Sequence, residues 1–108
     1  MTRYLVVESR DTFESRGFAQ RCELLAALLA DGAAVTLLLV ENGVIAARRS
    51  AEEGEVEQLA KSGVAVLADQ FALSERGIAP AELSAHVAPV ALDAVVERLL
   101  AGAKVLWN

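Results

Sequence analysis

The feature that most constrains this chain is a run of six residues, 35–40, in which only Thr36 is polar. A strand with one face in water alternates apolar and polar side chains, whereas a strand buried on both faces is almost continuously apolar. Shorter runs of the same kind occur at Tyr4–Val7 and Val64–Ala68. The pattern therefore predicts a parallel sheet with helices packed on both of its faces.

Amphipathic helix patterns separate these apolar runs. The first predicted helix spans residues 15–30, and its apolar stripe consists of Phe18, Cys22, Leu25 and Leu29, widened by Leu24 and Leu28. Further helices are predicted near 44–48, at 50–61 with Ser50 as cap and Glu53 as capping-box partner, at 69–75, near 81–83 and at 89–100, with short strands near Val87 and at Val105–Trp107. This alternation predicts one α/β domain over 1–108, a three-layer α/β/α sandwich with a five-stranded, mainly parallel sheet.

Charge and composition narrow the classes of partner. The net charge is −5, and the only basic pair, Arg48-Arg49, is soon followed by acidic residues, so we expect no nucleic-acid binding. No apolar run approaches the ~20 residues that cross a bilayer and no signal peptide is recognisable, so we expect a cytoplasmic protein without membrane contact. Because 55% of the residues are hydrophobic, they must be buried either in a core on both faces of a sheet or in an oligomer interface. We expect a homo-oligomer or an association with related subunits.

Common cofactor and metal motifs are missing from the sequence. It contains no Gly-rich phosphate loop, no HExxH pattern and no GxSxG pattern, so no cofactor and no metal is expected. The only cysteine, Cys22, lies in phase with the apolar stripe and is interpreted as a small hydrophobic core residue. Arg21 is predicted to point away from that stripe. His86 has no nucleophile near it in sequence, and its role stays open.

Polar residues follow the predicted strands, where ligands bind in open parallel sheets. They make up a candidate ligand-binding cleft of Glu8, Arg10, Asn42, Asp69 and Arg76. Each also has a structural interpretation. Glu8 then lies solvated in a loop, Asn42 belongs to a turn, Asp69 caps the following helix and Arg76 ends it.

Three segments of the chain resemble one protein family. Residues 35–44 (VTLLLVENGV), 63–69 (GVAVLAD) followed by 75–78 (ERGI), and 103–107 (AKVLW) are similar to segments of DsrE/DsrF/DsrH-like proteins. The resemblance covers nearly the whole chain and implies a five-stranded, flavodoxin-like sandwich that assembles as a dimer, trimer or hexamer. Better-known members of that family carry sulfur as a cysteine persulfide in sulfur oxidation or tRNA thiolation.

The resemblance also locates the position where those members carry their cysteine. It follows the third strand, ahead of the Arg-Gly-Ile element, and corresponds here to Asp69, or to Ala72 if a second family cysteine is considered. An aspartate cannot form a persulfide, although Asp69 could hold a ligand or pair with Arg76. We therefore assign no catalytic residue and expect no sulfurtransferase activity.

Three functional hypotheses follow from these observations. The first is a non-catalytic or divergent DsrE/F-like protein, an oligomeric scaffold or partner subunit related to intracellular sulfur transfer. The second is a protein that binds a small anion or other small ligand, or an enzyme that uses carboxylates, with its cleft at the carboxyl ends of the strands. The third, a persulfide carrier that uses Cys22, requires that thiol to be exposed.

Overall fold

The computed structural model describes residues 2–12, 17–50 and 54–107. Five strands alternate with helices along these residues. The elements are β1 Arg3–Glu8, α1 Phe18–Ala30, β2 Ala34–Leu39, a first 3-10 helix Glu41–Ala47, α2 Glu55–Ser62, β3 Ala65–Asp69, α3 Gln70–Glu75, a second 3-10 helix Pro80–Glu82, β4 Val87–Val90, α4 Leu92–Leu100 and β5 Ala103–Trp107.

The strands form one sheet in the order β4-β3-β2-β1-β5, and every neighbouring pair is parallel. From β1 to β4 the chain moves steadily in one direction, and β5 then returns to the other side of β1. Because such crossovers are right-handed, the reversal of direction places α4 on the opposite face from α1 to α3. The predicted α/β sandwich with a five-stranded parallel sheet is confirmed.

Two apolar cores lie on the two faces of this sheet. The larger one packs Phe18 and Leu25 of α1, together with residues of α2 and α3, against Leu37 and Leu39 of β2. The smaller one packs α4 against the opposite face, where Leu38 is buried. Because β2 supplies side chains to both cores, its almost continuous apolar sequence is explained.

Several element boundaries differ from the predictions. The helix predicted from Pro89 begins at Leu92, because residues 87–90 form β4, an edge strand in which proline is tolerated. The helix predicted from Ser50 begins at Glu55 with Gly54 as its cap, and Glu53 lies outside the described residues. Residue 15, the predicted start of the first helix, is also outside them, and α1 begins at Phe18.

Two helices, α1 and α4, are only partly covered by other elements. Leu24 of α1 is 46% exposed, although its position was predicted to widen the buried stripe of that helix. None of the nine described residues of α4 is buried, and Val96 is exposed. Periodicity identified both helices, but it did not show how much of each helix the sheet covers.

The turn after β2 packs tightly against the end of β1. The Val40 N–H donates to the carbonyl oxygen of Glu8 at 3.0 Å, and the Gly43 N–H donates to the Val40 carbonyl at 2.8 Å. A Cβ atom on Gly43 would overlap the Glu8 carbonyl oxygen. Glycine is therefore required here by the approach of two backbone segments.

We predict that Gly43→Ala destabilises the protein by about 2–3 kcal/mol, because the added methyl group must displace backbone atoms. Urea unfolding measures the effect as a lower transition midpoint. Gly54→Ala is the matched control, since a Cβ there meets nothing within 4 Å, and its cost should stay below about 1 kcal/mol. Equal losses for the two variants would refute this account of the turn.

Candidate functional site

The end of β1 carries a buried ion pair with α1. The Glu8 side chain is 0% exposed, and it accepts hydrogen bonds from Arg21 Nε at 2.8 Å and Nη2 at 2.7 Å. The Arg21 Cζ atom also lies 5.9 Å from the centre of the Phe18 ring. The predictions that Glu8 is a solvated loop residue and that Arg21 points away from the core side are therefore wrong. The long arginine side chain bends back over the preceding turn of the helix and reaches the strand.

A second polar contact joins the turn after β2 to the end of α3. Arg76 donates from Nε at 3.1 Å and from Nη2 at 3.0 Å to Asn42 Oδ1, and from Nη1 at 3.2 Å to the Ala72 carbonyl. Glu41 begins this turn in the left-handed conformation, with φ of 48°. The structure thus brings two predicted cleft residues together. All three nitrogens of the Arg76 guanidinium donate to protein atoms, which favours a structural role.

Asp69 lies at the end of β3 and caps α3. Its Oδ1 accepts a hydrogen bond of 3.1 Å from the Phe71 backbone N–H, so the cap interpretation is confirmed. The described residues include no ion pair between Asp69 and Arg76. Phe71 itself is 69% exposed. Asp69 therefore stabilises the strand-to-helix junction.

The fifth candidate, Arg10, is exposed beyond the end of β1. No described contact links it to the other four candidates. All five candidates thus lie at the same end of the sheet, but they do not form one cluster. Four of them take part in three separate contacts, which are the Glu8 ion pair, the Asn42–Arg76 contact and the Asp69 cap. Sequence reasoning missed Arg21, whose only sequence signal is a cation one turn after Phe18.

In open parallel sheets, ligands bind where the strand order reverses, which here is between β1 and β5. A small cavity of about 40 Å³ lies beside these two strands, under α1. A buried water needs roughly 10–15 Å³ of such volume, so this cavity has room for only a few waters. Its lining residues are Val6, Arg21, Leu24, Leu25, Leu106 and Trp107.

A larger cavity, of about 780 Å³, lies between the first 3-10 helix and α2. Arg48 and Arg49 contribute positive charge to its lining, and Glu55 and Glu57 contribute negative charge. Arg48 also lies 4.0 Å from a carboxylate oxygen of Glu82. The described lining of this cavity thus carries charges of both signs.

Cys22 is a free, half-buried cysteine that packs against the larger core. Burial, with further contributions from the negative charges of Glu55 and Glu8, raises the pKa of its thiol to about 11, although Arg21 acts in the opposite direction. A cysteine nucleophile needs the thiolate form. The environment of Cys22 thus suppresses the reactive form of the thiol.

Within the described ranges, no group of three His, Cys, Asp or Glu residues is arranged to hold a metal ion. His86 is exposed in the turn before β4, where its backbone N–H donates to Ser84 Oγ at 3.3 Å. None of the described helices combines the length and apolarity needed to cross a membrane.

Comparison with known proteins supports the fold. No protein-family model and no curated protein matches the chain. Among solved structures, the chain is similar to the ychN protein from E. coli, with a TM-score of 0.85 and 22% identity; the match covers 100% of both chains. It is also similar to MTH1491 from Methanobacterium thermoautotrophicum, a protein of unknown function, with a TM-score of 0.83 and 21% identity, again over 100% of both chains. BT1422 from Bacteroides thetaiotaomicron, also of unknown function, matches 98% of this chain and 94% of its own with a TM-score of 0.76 and 14% identity. The chain thus has a DsrE/F-like fold.

We predict that Glu8→Gln destabilises the protein by about 3 kcal/mol, because it leaves the partly buried Arg21 charge without its carboxylate. In the double variant Glu8→Gln/Arg21→Met, the loss should be smaller than the sum of the two single losses by about 1–3 kcal/mol. Urea unfolding provides all three values. Glu82→Gln is the control, because its pair with Arg48 is solvent-exposed and should contribute less than about 1 kcal/mol. Additive losses would exclude direct coupling of Glu8 and Arg21.

We predict that native Cys22 reacts with a thiol reagent at neutral pH about a hundredfold more slowly than an exposed cysteine, since its pKa is near 11. Its reaction rate should rise with pH until about 11. The exposed reference is Ser62→Cys in a Cys22→Ser background, and unfolding in urea should remove the difference. Because the native pKa is raised, the associated stability is present below the ordinary thiol pKa and is lost as pH rises towards 11. Equal rates for the two native proteins would contradict this description.

Proposed function

We propose that this chain is a non-catalytic DsrE/F-like protein that acts as an oligomeric scaffold or partner subunit in intracellular sulfur transfer. The fold supports only the DsrE/F-like part of this proposal. The resemblance in sequence places the family's cysteine at Asp69 or at Ala72, and neither residue can carry sulfur. The chain would therefore contribute shape and contacts to an assembly in which another subunit carries the thiol.

The observation that carries the proposal is that Asp69 caps α3. Its carboxylate accepts the hydrogen bond from the Phe71 N–H and so satisfies a donor in the first turn of α3. The alternative position, Ala72, is buried. According to the resemblance in sequence, a helix cap stands where a sulfur carrier has its nucleophile. A replacement that stabilises the local structure is compatible with a protein kept for its shape.

The remaining polar groups at the carboxyl end of the sheet support the same interpretation. Glu8 is paired with Arg21, and Arg76 is held by Asn42. These side chains bind each other in pairs, so they stabilise the local structure and are assigned no chemical step. The only cysteine, Cys22, has a raised pKa. A rigid polar edge without an activated thiol suits a subunit that positions a partner.

We predict that the wild-type protein takes up no sulfane sulfur from a persulfide donor, and that Asp69→Cys in a Cys22→Ser background does. The variant thiol would occupy the family position at the end of β3 and should be loaded about tenfold faster than Ser62→Cys in the same background. Mass spectrometry detects the added sulfur atom. The loss of the cap should cost only ~1 kcal/mol, and circular dichroism checks that the fold is retained.

Two results would contradict the proposal. Sulfur uptake by Cys22 in the wild-type protein would show that the chain is itself a carrier. Equal loading of Asp69→Cys and Ser62→Cys would show that the end of β3 has no relay-type geometry.

A further inference from the structure

We infer that β5 and α4 form an interface between two copies of this chain, an inference that rests on the oligomeric role proposed above. β5 is the edge strand next to β1, and it pairs with no other strand of the described sheet. Four of its five residues are exposed, among them Val105 at 44%, Leu106 at 40% and Trp107 at 69%. An apolar edge strand with an unpaired backbone is a template for another strand.

Apolar surface also flanks β5 on the α1 side of the sheet. The strand register pairs Leu106 with Val6, whose side chain belongs to the larger core. Leu106 and the exposed Leu24 of α1 line the same small cavity. The exposed surface of β5 is thus continuous with that of α1.

On the α4 side, the register pairs Trp107 with Val7, a residue of the smaller core. α4 is joined to β5 by only two residues, and its Val96 and Leu100 are 37% and 47% exposed. These two residues are four positions apart, so they share one side of the helix. The exposed apolar surface therefore extends from the edge strand along the helix that precedes it.

The opposite edge strand, β4, is protected in a way that β5 is not. Pro89 lies within β4, and its lack of an N–H removes a donor from that edge. β5 contains no proline. Its one charged residue, Lys104, has its Nζ atom 5.8 Å from the centre of the Tyr4 ring. Of the two edges, β5 is therefore the one suited to pairing with another strand.

The charges make β5 a place where a second copy of this chain meets little repulsion. The chain carries a net charge of −5, so two copies repel each other over most of their surfaces. β5 contains no acidic residue, and its only charge is positive. In an antiparallel, two-fold pairing centred on Val105, Trp107 lies opposite the small Ala103 of the other copy, and Lys104 lies opposite Leu106. The two lysines are thus not directly opposite each other.

The exposed apolar residues supply more than half of the area that such an association needs. Leu24, Val96, Leu100, Val105, Leu106 and Trp107 together expose about 500 Å², compared with roughly 800 Å² buried per partner in a standard interface. Neighbouring residues add to this area. Pairing of the two β5 strands would also satisfy backbone groups that otherwise face water.

Light scattering coupled to gel filtration tests the inference. We expect the wild-type protein to be at least dimeric at micromolar concentration, and Trp107→Glu and Leu106→Glu each to raise the dissociation constant about a hundredfold or more by introducing two buried charges. The matched control is Phe71→Glu, because Phe71 is also 69% exposed but lies far from β5 in the strand order. It should leave the association unchanged. Circular dichroism verifies that each variant is folded.

Hydrogen exchange of the wild-type protein gives a second test that needs no variant. Amides of β5 that point away from β1 should be protected at high concentration and should exchange faster on dilution. A wild-type protein that is monomeric at ~100 μM would overturn both this inference and the proposed oligomeric role. Association that survives both β5 variants but is lost in Phe71→Glu would overturn the interface alone. Sulfur uptake by wild-type Cys22 would overturn the non-catalytic role alone.

Discussion

The buried contact between Glu8 and Arg21 is the constraint on which the carboxyl end of this sheet depends. A buried carboxylate costs several kcal/mol unless a cation compensates it, so the bidentate pair fixes how α1 lies against β1. The backbone of the same glutamate accepts the Val40 N–H and packs against Gly43. One residue thus joins β1, α1 and the turn after β2. The turn that carries Asn42 is thereby positioned against the end of β1.

This arrangement explains why a sheet end rich in polar residues need not be a reaction site. Arg76 is held by Asn42, and Asp69 holds the first turn of α3. Polar residues at strand ends can bind ligands, but here Glu8, Asn42, Asp69 and Arg76 each contact a neighbouring group of the protein. The same edge that supports catalysis in an open sheet can instead be used to stabilise loops.

A feature could be predicted from the sequence when the interaction behind it joins residues that are close together in the chain. The runs at β1, β2 and β3 were found because burial on both faces imposes a local pattern, and the Asp69 cap was found because its partner is two residues away. The contact between Asn42 and Arg76 joins residues 34 positions apart, and nothing local signals it. For Leu24 the local pattern predicted burial, but the residue is exposed. It lies in phase with buried residues, but periodicity does not show whether another element covers it.

The topology explains why one edge of the sheet is left apolar. Three successive crossovers place α1, α2 and α3 on one face, and the return to β5 places α4 alone on the other. One nine-residue helix cannot cover a five-stranded sheet, so the smaller core remains thin and α4 contributes no fully buried residue. The apolar excess of the sequence, 55% hydrophobic, therefore reaches the surface where α4 leads into β5. Parallel sheets occur almost only with both faces covered, and in this chain the face opposite α1 to α3 is covered by α4 alone.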